Sequence, residues 1–350
     1  MKSHSKSCAL LVLAALALPL TGQADDHDRD NRHELKVALW GDNFYASDPA
    51  VKAAMATQTI NSMNAHHVDF TLFAGDTKNG SSECTDQAIG QDIIDIFNRL
   101  QAPTMYTLGD NEWTDCHRTN NGGYDPLERL AFLRTTFYSK NTLQGPHPLK
   151  VERQGELGQA YSENSRFVKN KVEFVALNVI GSNNNLVVTD SQCTKKSNRT
   201  PADCAAATEE YEARNPMNIA WLKESFDVAR KKHLAGIVIL IQADIYAPIE
   251  VADGGYADNF LPTLDPATNG WADFFHTLIS ETNSFDGQVL LVHGDSHFFR
   301  VDKAMVDDNG QIRPNFTRVE VFGSADNSWV EMTVDPGTEN VFAFNPVFLQ

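Results

Sequence analysis

Four apolar runs in this chain end in the dipeptide Gly-Asp, and that recurrence constrains its fold more than any other feature. VALW precedes Gly41-Asp42, FTLFA precedes Gly75-Asp76, MYTL precedes Gly109-Asp110 and LLVH precedes Gly294-Asp295. Glycine and aspartate both favour tight turns, so each pair reads as the stop of a strand. The first three glycines, at 41, 75 and 109, lie 34 residues apart, about one βαβ unit. The turns share little beyond Gly-Asp, which argues for topology over internal duplication. In open α/β sheets the carboxyl ends of the strands form the ligand crevice. The pattern therefore predicts an α/β protein in which four carboxylates converge on one acidic site. Carboxylates crowded there repel one another, and a bound cation is the natural resolution.

The intervening sequence fits alternating strands and helices. Strands are expected at Val37 to Trp40, Asp69 to Ala74, Thr104 to Leu108, Lys171 to Ile180, Gly236 to Ile241 and Val289 to Val292. Helices are expected at Ala50 to Asn64, Asp86 to Leu100, Pro126 to Tyr138, Glu209 to Lys231 and Trp271 to Ile279. The tail differs: Lys303 to Val306, a turn at Asp308-Asn309-Gly310, Thr317 to Phe322 and Ser328 to Val334 suggest antiparallel hairpins. Residues 183–208 and 250–270 read as long loops, the kind that flank a cleft.

The N-terminus reads as a targeting segment. Lys2 and Lys6 make a basic start, Ala9 to Leu20 is apolar, and Gly22-Gln23-Ala24 offers small residues for cleavage. Residues 1–24 are expected to be a signal peptide, 25–34 a charged leader and 35–350 one domain, secreted or periplasmic. Cys84, Cys116, Cys193 and Cys204 would remain, an even number suited to disulfides. Pairing Cys193 with Cys204 closes a short polar loop and leaves Cys84 for Cys116. A zinc site is the rival reading, although no C-x-x-C pair is present. The net charge of −17 argues against nucleic acid and anionic membranes as partners. It also means that an anionic substrate needs cations or local Lys and Arg to approach.

Together these motifs resemble the calcineurin-like metallophosphoesterases. That family's pattern runs Asp-x-His, Gly-Asp, Gly-Asn-His-Asp/Glu, a His after a buried strand, then Gly-His-x-His. Here the series reads GDNFY from 41, GDTKNG from 75, GDNEW from 109, IQAD from 241 and HGDSH from 293. The resemblance implies a four-layer α/β/β/α sandwich with mixed sheets and a two-metal site at the strand ends. It places Asp42, Asp76 and His297 around one ion, and Asp76, Asp110, Gln242 and Asp295 around the other. Phe44 and Asn111 stand where the family has histidines; a one-residue shift would instead make Asn111 a ligand, with His293 supplying an imidazole.

Replacing nitrogen donors with oxygen favours divalent ions such as Mg²⁺, Mn²⁺, Ca²⁺ or Fe²⁺ over Zn²⁺. The implied reaction is hydrolysis of a small phosphate ester by a metal-activated hydroxide. Asn111 occupies the catalytic position, His117 is the nearest proton donor, and Lys78 is placed to meet a phosphate. Tyr45 reads first as a packed aromatic, with ligating or orienting at the first turn as the alternative; Trp113 reads first as a wall of the cleft, with packing as the alternative. The alternative is a catalytically silent binding protein of the same fold. Oligomeric state is not legible.

Overall fold

A computed structural model describes residue 1 and residues 34–246, 249–250, 256–257, 265–306 and 310–349. The expected signal peptide, the charged leader, most of the loop at 250–270 and the start of the turn at 308 lie outside the described residues. The chain divides into two units, 1–32 and 33–350, and everything below concerns the second.

Strand β1 (Leu35–Trp40) leads through helix α1 (Pro49–Ala65) to β2 (Phe70–Phe73), and then through α2 (Asp92–Arg99) to β3 (Thr104–Tyr106). Helix α3 (Pro126–Phe137) precedes β4 (Glu152–Arg153), β5 (Ser165–Lys169) and β6 (Val172–Ala176). Helices α4 (Asp190–Thr194) and α5 (Pro201–Lys231) lead to β7 (Gly236–Leu240) and the short pair β8 (Ile249–Glu250) and β9 (Tyr256–Ala257). After α6 (Ala272–Asn283) come β10 (Gln288–His293), β11 (Arg300–Asp302), β12 (Phe316–Glu320), β13 (Trp329–Val334) and β14 (Phe342–Val347).

Local sequence explains where the helices start. Asp48 and Asp125 cap α1 and α3, accepting backbone N–H groups at 2.7 Å (Ala50) and 2.9 Å (Leu127), and each is followed by proline at the first helical position. Thr200 and Asp203 cap α5 reciprocally, with Pro201 between them.

The strands form a five-stranded sheet in the order β14-β13-β1-β2-β3 and a seven-stranded sheet in the order β11-β12-β10-β7-β6-β5-β4. Both are mixed. β1, β2 and β3 are parallel while β13 joins β1 antiparallel; β6, β7, β10 and β12 are parallel, flanked by antiparallel β5 and β11.

Side-chain alternation sets the layers. Val37 and Leu39 of β1, Phe174 and Ala176 of β6, Val238 and Leu240 of β7, and Leu290 and Val292 of β10 share one core between the sheets. Their neighbours point outward. Ala38 and Trp40 pack with residues of α1, α2 and α3, and Ile237, Ile239 and Leu291 pack with those of α5 and α6. The result is a four-layer α/β/β/α sandwich, as the resemblance implied. Each fully buried Val, Leu or Phe in these layers contributes about 1.5–3 kcal/mol.

Several boundaries correct the sequence reading. Residues 183–208 are not one loop: they contain α4 and the start of α5, which opens at Pro201 and not at Glu209. Thr200 and Pro201 were its start signal, hidden in a polar, cysteine-bearing stretch. The tail is not simply hairpins, since β12 also pairs parallel with β10, and the expected strand at Lys303 to Val306 lies instead at Arg300–Asp302. β5 and β14 went unread. Both predicted disulfides are present, Cys84–Cys116 and Cys193–Cys204. Among the described residues no helix is long and apolar enough to cross a membrane.

Candidate functional site

Because β1, β2, β3, β7 and β10 are parallel within their sheets, the residues that follow them gather at one end of the sandwich. Asp42, Asp76, Asp110, Gln242 and Asp295 all sit there. Backbone hydrogen bonds stitch the turns together: Asp42 N–H donates to Gly75 O at 3.0 Å, Gly294 N–H to Gln242 O at 3.1 Å and Ser324 N–H to Asp42 O at 2.8 Å.

Asp42, Asp76 and Asp295 adopt left-handed backbone, with φ of 50°, 56° and 78°. Aspartate tolerates that region better than most residues, and such conformations concentrate where a side chain must be aimed. The preceding glycines provide space. A Cβ at Gly109 would fall on the Asp76 carboxylate, and one at Gly294 on the Asp42 carboxylate. The Gly-Asp dipeptide thus has two jobs: its aspartate supplies a carboxylate, and two of its glycines make room for a carboxylate from another turn.

Asp76, Asp110 and Asp295 offer carboxylate oxygens within 4.8 Å of one another. Burial, then the charges of Asp110, Glu112, Asp42 and Asp295, push the Asp76 carboxyl well above its ordinary range. Burial, Asp110 and Asp42 do the same to Asp295. Asp42 is also raised by burial, opposed by His297, whose Nε2 lies 3.4 Å from Asp42 Oδ1. That pairing leads the causes that push the His297 ring up to about 9. Uncompensated negative charge in a buried cradle of hard oxygen donors is what a divalent cation offsets, so these residues fit the implied metal.

Other expected site residues have different surroundings. Gln242 accepts Gly181 N–H at its Oε1 (2.6 Å) and donates from Nε2 to Asp295 (3.2 Å), so it ties the Gly181 turn to the Asp295 carboxylate. Asn111 donates to Asp76 from both its backbone N–H (3.2 Å) and its side chain (2.7 Å), and thereby orients that carboxylate. Lys78 is buried and donates to Asn79 O at 3.1 Å, with Glu112 and Asp76 the nearest charges acting on it. It is a buried counter-charge to these carboxylates. His117 lines a cleft beside Asp295; burial and the nearby Arg199 and Arg118 push its ring down to about 3, so it is neutral at neutral pH. His293 is fully buried, with Asp244 and Glu320 the carboxylates acting on it. Phe44 packs on Trp40 in the helix-side core, and Trp113 is buried in that same core and not in a cleft wall.

Tyr45 takes the orienting role weighed for it at the first turn and not the packing one, pointing its hydroxyl at Asp76 Oδ2 (3.3 Å) and Asp42 Oδ1 (3.5 Å). Sequence reasoning missed three other contributors. Glu112 is buried and accepts Thr77 N–H at 2.7 Å, bracing the second turn. Asp115 pairs with Arg118 at 2.5 Å, and burial with Asp110 nearby pushes its carboxyl up to about 7. Ser182 Oγ lies 2.7 Å from Asp110 Oδ2 and 2.8 Å from Asp115 Oδ1, and its single proton can serve only one of them. Ser182 belongs to a turn in which Ser182, Asn183, Asn184 and Asn185 all have left-handed backbone. Arg214 of α5 holds that turn, donating to Asn184 O at 2.9 Å and Asn178 O at 2.6 Å. The run of asparagines after an apolar strand was the available signal, since asparagine tolerates this backbone.

No family model and no curated protein matches the chain. Among solved structures it is similar to GAP50, the anchor in the inner membrane complex of Plasmodium, at 12% identity over 91% of this chain and 89% of that one, with a TM-score of 0.42. PhoD is similar at 11% identity over 87% of this chain and 64% of its own, with a TM-score of 0.44. The 5'-nucleotidase of Candida albicans is similar at 13% identity over 90% of this chain and 51% of its own, with a TM-score of 0.36. At such values the layers of the sandwich carry the fold assignment, and the chemistry rests on the residues in place.

Proposed function

We propose that this chain is an exported, metal-dependent phosphoric ester hydrolase acting on a small phosphate ester. The convergence of Asp76, Asp110 and Asp295 within 4.8 Å, with the Asp42–His297 pair alongside, carries the reading. Divalent cations held by these five residues, two by the resemblance, would supply Lewis-acid polarisation of the phosphoryl oxygens and an activated water.

The chain's own groups do the rest. Asn111 and Tyr45 fix the Asp76 carboxylate, and Gln242 fixes Asp295. Lys78 offsets part of the negative charge at the site. His117, neutral and facing the cleft, is the hydrogen-bond partner offered to the leaving-group oxygen. The two disulfides favour an oxidising compartment, which supports export.

A second reading, a silent binding protein, is favoured by one observation: Phe44 and Asn111 occupy the positions of family histidines, and neither can carry a proton. Assay of the purified chain against an aryl phosphate and a bis-aryl phosphate, with Mg²⁺, Mn²⁺, Ca²⁺, Fe²⁺ and Zn²⁺ in turn, separates the two. Turnover with at least one ion, abolished by Asp76→Asn, is expected. Bound metal without turnover selects the silent protein; neither metal nor turnover sinks the enzyme reading.

A further inference from the structure

A cavity of about 490 Å³ opens beside Asp295 and Asp115, and its wall carries Arg118, Lys195, Lys196 and Arg199. Four cations on one wall stand out on a chain of net charge −17. Arg118 is paired with Asp115. No ion pair engages Lys195, Lys196 or Arg199 among the described residues, and Arg199 Nε is buried without a hydrogen-bond partner. The His117 ring, 8% exposed, lines the same cavity with its Nδ1 likewise unpartnered.

The backbone carrying these groups is held in place. Thr119 N–H donates to Lys196 O at 2.6 Å and Ser197 Oγ to His117 O at 3.1 Å, joining the two segments that carry the cations. Each segment is also stapled, one at Cys116 and the other at Cys193. Fixing the backbone that carries the donors lowers the entropy lost when an anion docks.

We propose that this basic cavity is a subsite for a second phosphate group, so that the substrate is an organic phosphate bearing two phosphates, one at the acidic cluster and one here. Arg199 presents a planar fork that matches phosphate oxygens, with the Asp115-paired Arg118 beside it, and Lys195 and Lys196 add point charges at the rim. The cavity volume falls in the range of small-molecule sites, about 300–1,000 Å³. Arg199 and Asp295 line the same cavity, which is where one molecule would meet both the basic groups and the edge of the acidic cluster. The inference rests on the reading of the acidic cluster as a phosphoester site.

Calorimetric binding of propane-1,3-diphosphonate and of propylphosphonate to the full chain with Mg²⁺ tests the subsite without requiring turnover. The wild-type chain is expected to bind the diphosphonate about ten-fold or more tightly than the monophosphonate. Arg199→Ala, and separately Lys195→Ala with Lys196→Ala, should bring the ratio to about one, with unchanged melting temperature showing that the variants fold. Equal binding of both probes, binding of neither, or a preference surviving in both variants overturns the subsite. Turnover of a simple aryl phosphate would still stand in each of those cases, and absence of turnover would leave the binding ratio readable.

Discussion

Gly294 sits directly against the carboxylate of Asp42, and a methyl group on Gly294 would occupy the space of that carboxylate. Asp295 N–H also donates to Asp42 Oδ2 at 3.2 Å. Gly294→Ala must therefore push the first turn away from the fourth. Overpacking of this kind costs about 1–3 kcal/mol, and the displaced Asp42 should bind cations more weakly. Thermal melts together with a Mn²⁺ titration check both; an unchanged ion affinity would mean that Asp42 takes no part in the site.

Asp110 is the leading charge acting on Asp295 and Asp115, and the leading one on Asp76. In EDTA, Asp110→Asn should melt above the wild-type chain by about 1–3 kcal/mol of stability, because a buried repulsion is removed. With ion present at about 100 times its dissociation constant, the wild-type chain should gain about 2.7 kcal/mol and the variant far less. A variant less stable than wild type in EDTA would show that repulsion does not dominate the cluster.

Arg214 is buried and ties Glu210 of its own helix to the left-handed turn at 182–185. Arg214→Met leaves Glu210 without its guanidinium and should cost about 3–5 kcal/mol. Arg214→Lys keeps the charge without the fork and should recover only part of that. Chemical denaturation orders the three proteins; equal stability of the Met and wild-type chains would remove Arg214 as the brace.

Glu173 of β6 lies far from these carboxylates in sequence, and both its oxygens are buried without a hydrogen-bond partner. Burial, opposed by Arg166, pushes its carboxyl from the ordinary 4.5 up to about 8. The folded chain therefore prefers it protonated. That contribution is fully present below about pH 4.5, falls as pH rises and is gone above about pH 8. Glu173→Gln should match wild type at pH 5 and exceed it at pH 9 by about 1–3 kcal/mol. Melting curves across that window decide the matter, and a gap independent of pH would show that Glu173 does not titrate within it.

The strand ends were legible because Gly-Asp after an apolar run is a local signal, and the helices with Pro and Asp starts were legible for the same reason. What stayed hidden depends on partners distant in sequence. Tyr45 faces Asp76 and Asp42, while its neighbour Phe44 turns into the core, and nothing local distinguishes the two aromatics. Gln242 reads only as a ligand position in sequence, whereas its hydrogen bonds to Gly181 and Asp295 depend on segments distant from it. Lys78 reads as a cation placed to meet a phosphate, yet its side chain is buried, with Glu112 the leading charge acting on it. The β12 pairing with β10 was equally invisible, because a strand's register carries no mark of whether its neighbour runs parallel.

β1 is paired on one side by β2 and on the other by β13, Leu35 lying opposite Val334. A ribosome making this chain releases β1 long before that strand's second neighbour, with eleven other strands in between. Until Trp329–Val334 appears, one apolar edge of Leu35–Trp40 waits unpaired, the kind of edge that invites aggregation. Nascent chains stopped short of β13 would thus carry every Gly-Asp turn with one edge of β1 still open.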